Sequence, residues 1–157
     1  MYGLNRQGDN LTHYLALGIQ PLEFSMANGY DACAHTILKY ISRHARKGGR
    51  VDLEKAIHIV EVRDELTRPT QFRQALAILN TLVVAIVGYQ PTEKEDPRIS
   101  MEVYIERNKL GPLEAEALVW LDQWLRHPPS LSVNATYRDR LTRSIQKIID
   151  ANYGDHQ

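Results

Sequence analysis

The chain has 157 residues, a formal net charge of zero, 43% hydrophobic residues and 24% charged residues. These values are typical of a one-domain globular protein, and the zero net charge argues against nucleic-acid binding by the whole surface. The longest apolar run is too short to span a bilayer, and the first residues do not resemble a secretory signal. Cys33 is the only cysteine, which excludes an internal disulfide. We therefore expect a cytoplasmic protein that has no membrane partner.

The first 20 residues are expected to form an arm whose distinctive feature is the pair His13 and Tyr14. Pro21 is suited to the first turn of a helix, because a proline there gives up an amide that would be unpaired anyway. We expect this short helix to end at Ala27, before an Asn-Gly pair.

The next helix is predicted to run from the N-cap residue Asp31 to about Lys47. Apolar residues recur along it at spacings of three and four, which predicts one buried face made of Ala34, Ile37, Leu38, Ile41 and Ala45. The other face carries His35, Lys39, Arg43 and Arg46. The pair Gly48 and Gly49 is expected to stop the helix.

The following helix is predicted from the N-cap residue Asp52 to about Leu66. It forms an antiparallel hairpin with the helix predicted from Asp31 to about Lys47. A third helix is predicted over 70–87. It is apolar around most of its circumference, as expected for a central helix or for one covered by a partner subunit, so we expect a homo-oligomer.

A polar, proline-bounded linker over 89–98 is predicted to separate a helical domain over 1–88 from a helical region over 99–157. The two regions can pack together as one domain. Helices are expected there near 99–109, 113–126 and 135–152. No alternating strand pattern is present. The predicted fold class is all-α, a helical bundle built on an antiparallel helix hairpin with a C-terminal helical extension.

Six lysines and arginines lie between Lys39 and Lys55, against two carboxylates. The spacing of Lys39, Arg43 and Arg46 predicts one helix face over about 10 Å, a length that matches a phosphate chain and its ribose. Such cations hold phosphate oxygens and stabilise a transferring phosphoryl group, which makes Lys39 and Arg43 the candidate catalytic residues. The alternative is a solvated helix face that pairs with neighbouring carboxylates.

The candidate phosphate-binding residues extend beyond this face. The Gly48 and Gly49 turn resembles the geometry in which amides at a helix start hold an anion, although it is not a Walker motif and its alternative role is to cap the preceding helix. The full candidate set is His13, Tyr14, His35, Lys39, Arg43, Arg46, Lys47, Gly48 and Gly49.

Carboxylates and one imidazole follow each other at helical spacing on the second helix of the hairpin. Glu54, His58, Glu61 and Glu65 are four, three and four residues apart, and carboxylates are the ligands that Mg²⁺ prefers. We consider Glu54, His58 and Glu61 as candidate Mg²⁺ ligands. The alternative is that the carboxylates pair with the basic face of the neighbouring helix.

Several ordered segments between residues 12 and 62 resemble a small phage-encoded family. The segments are His13-Tyr14, Gly18-Ile19-Gln20-Pro21-Leu22-Glu23-Phe24, Asn28-Gly29, Lys39-Tyr40-Ile41-Ser42-Arg43, Lys47-Gly48-Gly49, Asp52-Leu53 and Lys55-Ala56-Ile57. The best-known member of that family is a deoxynucleoside monophosphate kinase that lacks a Walker loop. This chain departs from the family pattern in having Ala34-His35 where the family has Gly-Asn.

The resemblance implies a nucleotide-binding protein of kinase type in the cytoplasm of an infected bacterial cell. Two alternatives remain open. One is a non-enzymatic phage protein that sequesters a nucleotide or signalling molecule, or inhibits a host protein. The other is an all-α, Mg²⁺-dependent nucleoside triphosphate pyrophosphohydrolase that uses the carboxylate ladder. Sequence-specific nucleic-acid binding is not expected, since the basic helix that carries Arg138, Arg140, Arg143 and Lys147 has few aromatic residues.

Overall fold

The computed structural model describes residues 18–68, 98–127, 129 and 132–154, together with the single residues 78, 79, 82 and 86. Its helices are α1 (Pro21–Ala27), α2 (Ala32–Arg43), α3 (Gly49–Thr67), α4 (Met101–Asn108), α5 (Pro112–Arg126) and α6 (Ser132–Tyr153). The described residues contain no strand, which confirms the all-α prediction. Among the described helices, none is both long enough and apolar enough to cross a membrane.

Several predicted features lie outside the described residues. These are the arm that carries His13 and Tyr14, most of the helix predicted over 70–87, and the linker over 89–98 except for Arg98. Four apolar residues of the predicted 70–87 helix are described; they are helical and exposed, namely Ile78, Leu79, Leu82 and Ile86.

A capping residue or a proline marks the start of four helices. The Asp31 carboxylate accepts a hydrogen bond from the Ala34 amide at 2.8 Å and so caps α2. Ser100 caps α4 in the same way. A proline stands in the first turn of both α1 and α5.

Two helical hairpins pack against each other to form the bundle. The first is α2 with α3 and the second is α5 with α6, while α3 also contacts α6 and α2 contacts α5. The shorter helix α1 lies against α2, and the shorter helix α4 lies against α5. One apolar core joins both hairpins, because it contains Ile37, Leu38, Ile41, Leu53, Ala56 and Val60 together with Ala117, Leu118, Leu121, Trp124, Leu141, Ile145 and Ile148.

Two helix boundaries at the connection between α2 and α3 differ from the prediction, and α6 begins at Ser132 rather than near residue 135. Helix α2 ends at Arg43 rather than at Lys47, so Ala45 is exposed instead of buried. Helix α3 begins at Gly49, with Gly48 as its N-cap, rather than at Asp52. Asp52 therefore lies inside the first turn of α3 rather than at its cap position, and its carboxylate is bound by Arg43.

Candidate functional site

Residues 44–48 form a tight turn between α2 and α3, which we call the elbow. The amides of Arg46 and Lys47 donate to the Arg43 carbonyl at 2.8 and 2.9 Å, and the Gly49 amide donates to the His44 carbonyl at 3.0 Å. Gly48 and Gly49 both have positive φ values, of 82° and 54°, which glycine adopts at little cost. The two glycines therefore allow α3 to turn back on α2 within a few residues.

A buried ion pair closes the inner side of the elbow. The Arg43 Nε donates to Asp52 Oδ2 at 2.8 Å, and Nη2 donates to Oδ1 at 3.3 Å. The side chain of Asp52 is 4% exposed and that of Arg43 is 15% exposed. A Cβ on Gly48 would lie 2.3 Å from the Asp52 Cγ, so only glycine fits above this carboxylate.

His44 is the first residue of the elbow, and its buried side chain contacts the ends of neighbouring helices. It is the C-cap residue of α2 and is 3% exposed. Its Nε2 is 2.8 Å from Glu114 Oε1 in the first turn of α5, and its Nδ1 is 2.9 Å from the hydroxyl of Tyr153 at the end of α6. The Tyr153 ring also packs beside Gly49, at the start of α3.

The charges of this network shift two ionisation equilibria in opposite directions. The hydrogen bond from His44 lowers the pKa of Glu114 below its usual range, against the opposing effect of partial burial. Burial raises the pKa of Tyr153, and the nearby Glu114 and Asp52 carboxylates raise it further. Glu114 is therefore a carboxylate at neutral pH, and Tyr153 is a neutral hydroxyl.

The outer side of the elbow is cationic. Arg46 and Lys47 are exposed and have no carboxylate partner within the described part of the chain. Lys39 is half-buried, with its Nζ 5.2 Å from the centre of the Tyr40 ring. Arg50 is exposed and forms an ion pair with Glu54 at 2.8 Å. The elbow thus presents positive charge that nearby carboxylates do not neutralise.

The predicted basic face is only partly formed. His35, Lys39 and Arg43 do lie four residues apart on α2, but Arg46 falls beyond the end of that helix. Arg46 therefore belongs to the elbow with Lys47, and not to a third turn of the face. His35 bonds the Ser25 hydroxyl through Nδ1 at 3.1 Å, and burial followed by the charge of Lys39 lowers its pKa.

The structure does not bring the three candidate Mg²⁺ ligands together. Glu54 is engaged by Arg50, while His58 and Glu61 are exposed and 3.8 Å apart. Within the described residues, no group of three or more histidine, cysteine or acidic side chains has the arrangement needed to hold a metal ion.

A groove of about 640 Å³ lies between α3 and α6. It is lined by charged residues of both signs that neutralise each other. The Arg138 guanidinium contacts Asp64 and Asp139, each at 2.8 Å, and Arg68 also contacts Asp64. Arg68 and Arg138 are therefore paired with carboxylates, while Arg143 donates to the Asp139 carbonyl at 3.2 Å.

Sequence analysis did not identify His44, Glu114 or Tyr153 as members of the site. One signal for His44 was present, because it follows Ile37 and Ile41 at helical spacing and so falls on the apolar face. An ionisable residue on a buried face needs polar partners. Its partners are 70 and 109 residues away along the chain, so the sequence offered no means of naming them.

Comparisons of this chain with protein-family models, with curated proteins and with solved structures gave no match.

Proposed function

We propose that this protein binds the phosphate groups of a nucleotide at the elbow. The observation that carries the proposal is the pair of exposed cations, Arg46 and Lys47, which have no carboxylate partner among the described residues and directly precede the start of α3. The N-cap of α3 is Gly48, which has no side chain to accept hydrogen bonds from the first amides of the helix. Cations at the positive end of a helix are complementary to a phosphate.

Other groups around the elbow support the same ligand class. Arg46 offers a planar set of donors that matches two phosphate oxygens, while Lys47 acts as a mobile point charge. Lys39 supplies a further cation on α2, beside the Tyr40 ring. A ligand that carries phosphate would therefore meet positive charge at the elbow, in a chain whose net charge is zero.

We further propose that phosphoryl transfer of the nucleoside monophosphate kinase type takes place at this site, in an infected bacterial cell. The resemblance of residues 12 to 62 to a kinase family motivates this activity. In this scheme Lys39 and Arg46 stabilise the charge on the transferring group, and Mg²⁺ enters with the nucleotide phosphates.

A second candidate function is sequestration of a nucleotide without turnover. The position of Arg43 favours it, because the guanidinium holds the buried Asp52 through two hydrogen bonds. An arginine used in this way maintains the shape of the elbow and is less free to follow a phosphoryl group during transfer.

A thermal-shift screen with nucleoside mono-, di- and triphosphates tests the proposed binding. A ligand at 100 times its Kd stabilises the folded state by about 2.7 kcal/mol, which raises the Tm by roughly 5–11 °C for a chain of this length. The double variant Arg46→Ala/Lys47→Ala should lose most of this shift, and high salt should reduce it in the wild type.

The matched control is Lys55→Ala, which removes an exposed lysine of α3 more than one turn beyond the elbow. Its ligand-induced shift should equal that of the wild type. The proposal is wrong if no nucleoside phosphate stabilises the wild type, or if the control and the elbow variant lose the shift equally.

Turnover distinguishes the kinase from the sequestering protein. Labelled nucleoside monophosphate is incubated with a triphosphate donor, with and without Mg²⁺, and the products are separated. A kinase forms labelled diphosphate, and Lys39→Ala should reduce the rate more than it reduces binding. A sequestering protein returns the label as unchanged monophosphate.

A further inference from the structure

A groove of about 230 Å³ lies between α5 and α6, and we call it the α5–α6 groove. The two helices supply residues at helical spacing, four apart on α5 and three, one and three apart on α6, so that two walls face each other. From its first to its last residue on α6, the groove extends over two turns, about 10 Å. Its described lining residues, none of which belongs to the elbow, are Glu116, Trp120, Arg140, Arg143, Ser144 and Lys147.

Planar side chains are stacked at one end of this groove. The guanidinium carbon of Arg140 lies over the Trp120 ring, 4.6 Å from its centre. The Trp120 ring is in turn stacked on Tyr137, with the ring centres 6.0 Å apart and an interplanar angle of 23°. The ring of His127 lies 4.7 Å from that of Tyr137. Because Trp120 and His127 come from α5, the basic helix α6 gains aromatic neighbours that its own sequence does not provide.

The wall formed by α6 is cationic. Arg140, Arg143 and Lys147 are all exposed. The Lys147 Nζ and the Ser144 hydroxyl donate to Glu116 Oε1, at 2.9 and 3.0 Å. The hydrogen bond from Lys147 lowers the pKa of Glu116, against the opposing effect of burial, so Glu116 is a carboxylate at neutral pH. Among the described lining residues, three cations therefore face one carboxylate.

This combination of groups is suited to a nucleobase that carries a phosphate. A guanidinium held on a tryptophan ring presents a flat surface on which an unpaired base can stack. The cations one and two turns further along α6 are within reach of a phosphate attached to that base. Stacking on planar side chains tolerates any base, because every base has a π-face. An anion without a ring would use the cations alone and gain nothing from the stack.

We propose that the α5–α6 groove binds an unpaired nucleobase together with its phosphate, with the base stacked on Arg140 and Trp120 and the phosphate held by Arg143 and Lys147. This site is separate from the elbow and does not depend on the proposed function. A free nucleotide and a single strand of nucleic acid both carry this chemistry, and the experiment distinguishes the two sources.

Tryptophan fluorescence reports on this groove, because Trp120 lines it and the second tryptophan does not. Trp124 is 1% exposed, and its Nε1 donates to Asn134 at 3.0 Å inside the bundle. The probes are adenosine monophosphate, a short single-stranded oligoadenylate, adenosine and ribose 5-phosphate. The first two should quench the fluorescence with a saturating curve. Adenosine should need a higher concentration, and ribose 5-phosphate should not quench.

Two variants remove the cations and leave the aromatic rings in place. Arg140→Ala removes the surface on which the base stacks, and Lys147→Gln removes a phosphate contact. Each should raise the Kd for adenosine monophosphate on the order of 10-fold. Trp120→Phe should lose the quenching, which assigns the signal to this ring. The matched control is Lys55→Gln, an exposed lysine of α3 outside the groove, and its Kd should equal that of the wild type.

Saturating quenching that both groove variants weaken supports the proposal, and a lower Kd for the oligonucleotide identifies a single strand as the source. Absence of quenching by every probe overturns it. Equal quenching by adenosine monophosphate and ribose 5-phosphate also overturns it, since it indicates a site for anions alone. Quenching that Arg46→Ala/Lys47→Ala abolishes and both groove variants retain would place the ligand at the elbow, which overturns this inference and leaves the proposed function intact. Thermal unfolding without ligand checks that each variant folds, and either groove variant alone decides the test.

Discussion

Replacement of Gly48 by alanine perturbs the elbow at its most constrained point. Gly48 has a φ of 82°, and a conformation of this kind costs an L residue about 1–2 kcal/mol. A Cβ would also lie 2.3 Å from the Cγ of Asp52 and 2.5 Å from both carboxylate oxygens. Asp52 has little freedom to withdraw, because Arg43 holds it at 2.8 Å. Alanine at this position must therefore displace the carboxylate and break the ion pair.

The expected loss of stability is large. Breaking a buried ion pair costs about 3–5 kcal/mol, so with the backbone cost we expect Gly48→Ala to lower the free energy of unfolding by at least roughly 4 kcal/mol. For a chain of this length, this corresponds to a decrease in Tm on the order of 10 °C. Circular dichroism during thermal and urea unfolding measures both quantities.

Gly29→Ala is the matched control. Gly29 also has a positive φ, of 65°, but a Cβ there would meet no atom within 4 Å. Its replacement should cost only the backbone term of about 1–2 kcal/mol. In an Asp52→Ala background, Gly48→Ala should likewise cost only this term. Equal losses for Gly48→Ala and Gly29→Ala in the wild type would refute the argument that Gly48 is required by the carboxylate beneath it.

Three further predictions concern the stability of the bundle. The hydrogen bond from His44 lowers the pKa of Glu114, so the ionised Glu114 stabilises the folded state above the usual carboxyl range, and this stabilisation is lost as the pH falls through the lowered pKa. In urea titrations between about pH 5 and pH 3, the wild type should therefore lose stability more steeply than Glu114→Gln. Burial and the Asp122 carboxylate raise the pKa of Tyr30, so the neutral Tyr30 hydroxyl stabilises the folded state at neutral pH, and this stabilisation is lost above about pH 10. Tyr30→Phe should therefore show a smaller decrease in Tm at alkaline pH than the wild type. Asp31→Ala removes the cap of α2 and should lower the free energy of unfolding by about 1 kcal/mol, measured by urea denaturation.

The fold was predictable from local patterns. The apolar period of α2 assigned Ala34, Ile37, Leu38 and Ile41 to a buried face, and all four are fully buried. Asp31 was recognised as a cap because its role depends only on residues three positions away. Helix type and helix start are set within one or two turns, which is why a single sequence indicates them.

The elbow was predicted less well because its shape depends on distant residues. Arg46 and Lys47 continue the helical charge pattern, but they lie beyond the end of α2, in the elbow, where the neighbouring His44 is buried against Glu114 and Tyr153. The prediction that Asp52 caps α3 was wrong for a related reason. Aspartate close after a glycine pair is a plausible cap, and the sequence does not reveal that an arginine of the preceding helix occupies its carboxylate.

Nuclear magnetic resonance of ¹⁵N-labelled protein during titration with a nucleoside monophosphate locates the ligand directly. The proposed function predicts that the amides of Arg46, Lys47 and the first turn of α3 shift most, with a single saturating curve, and that Arg46→Ala/Lys47→Ala weakens this curve. Saturating shifts confined to the groove between α3 and α6, with the elbow amides unchanged, would contradict it.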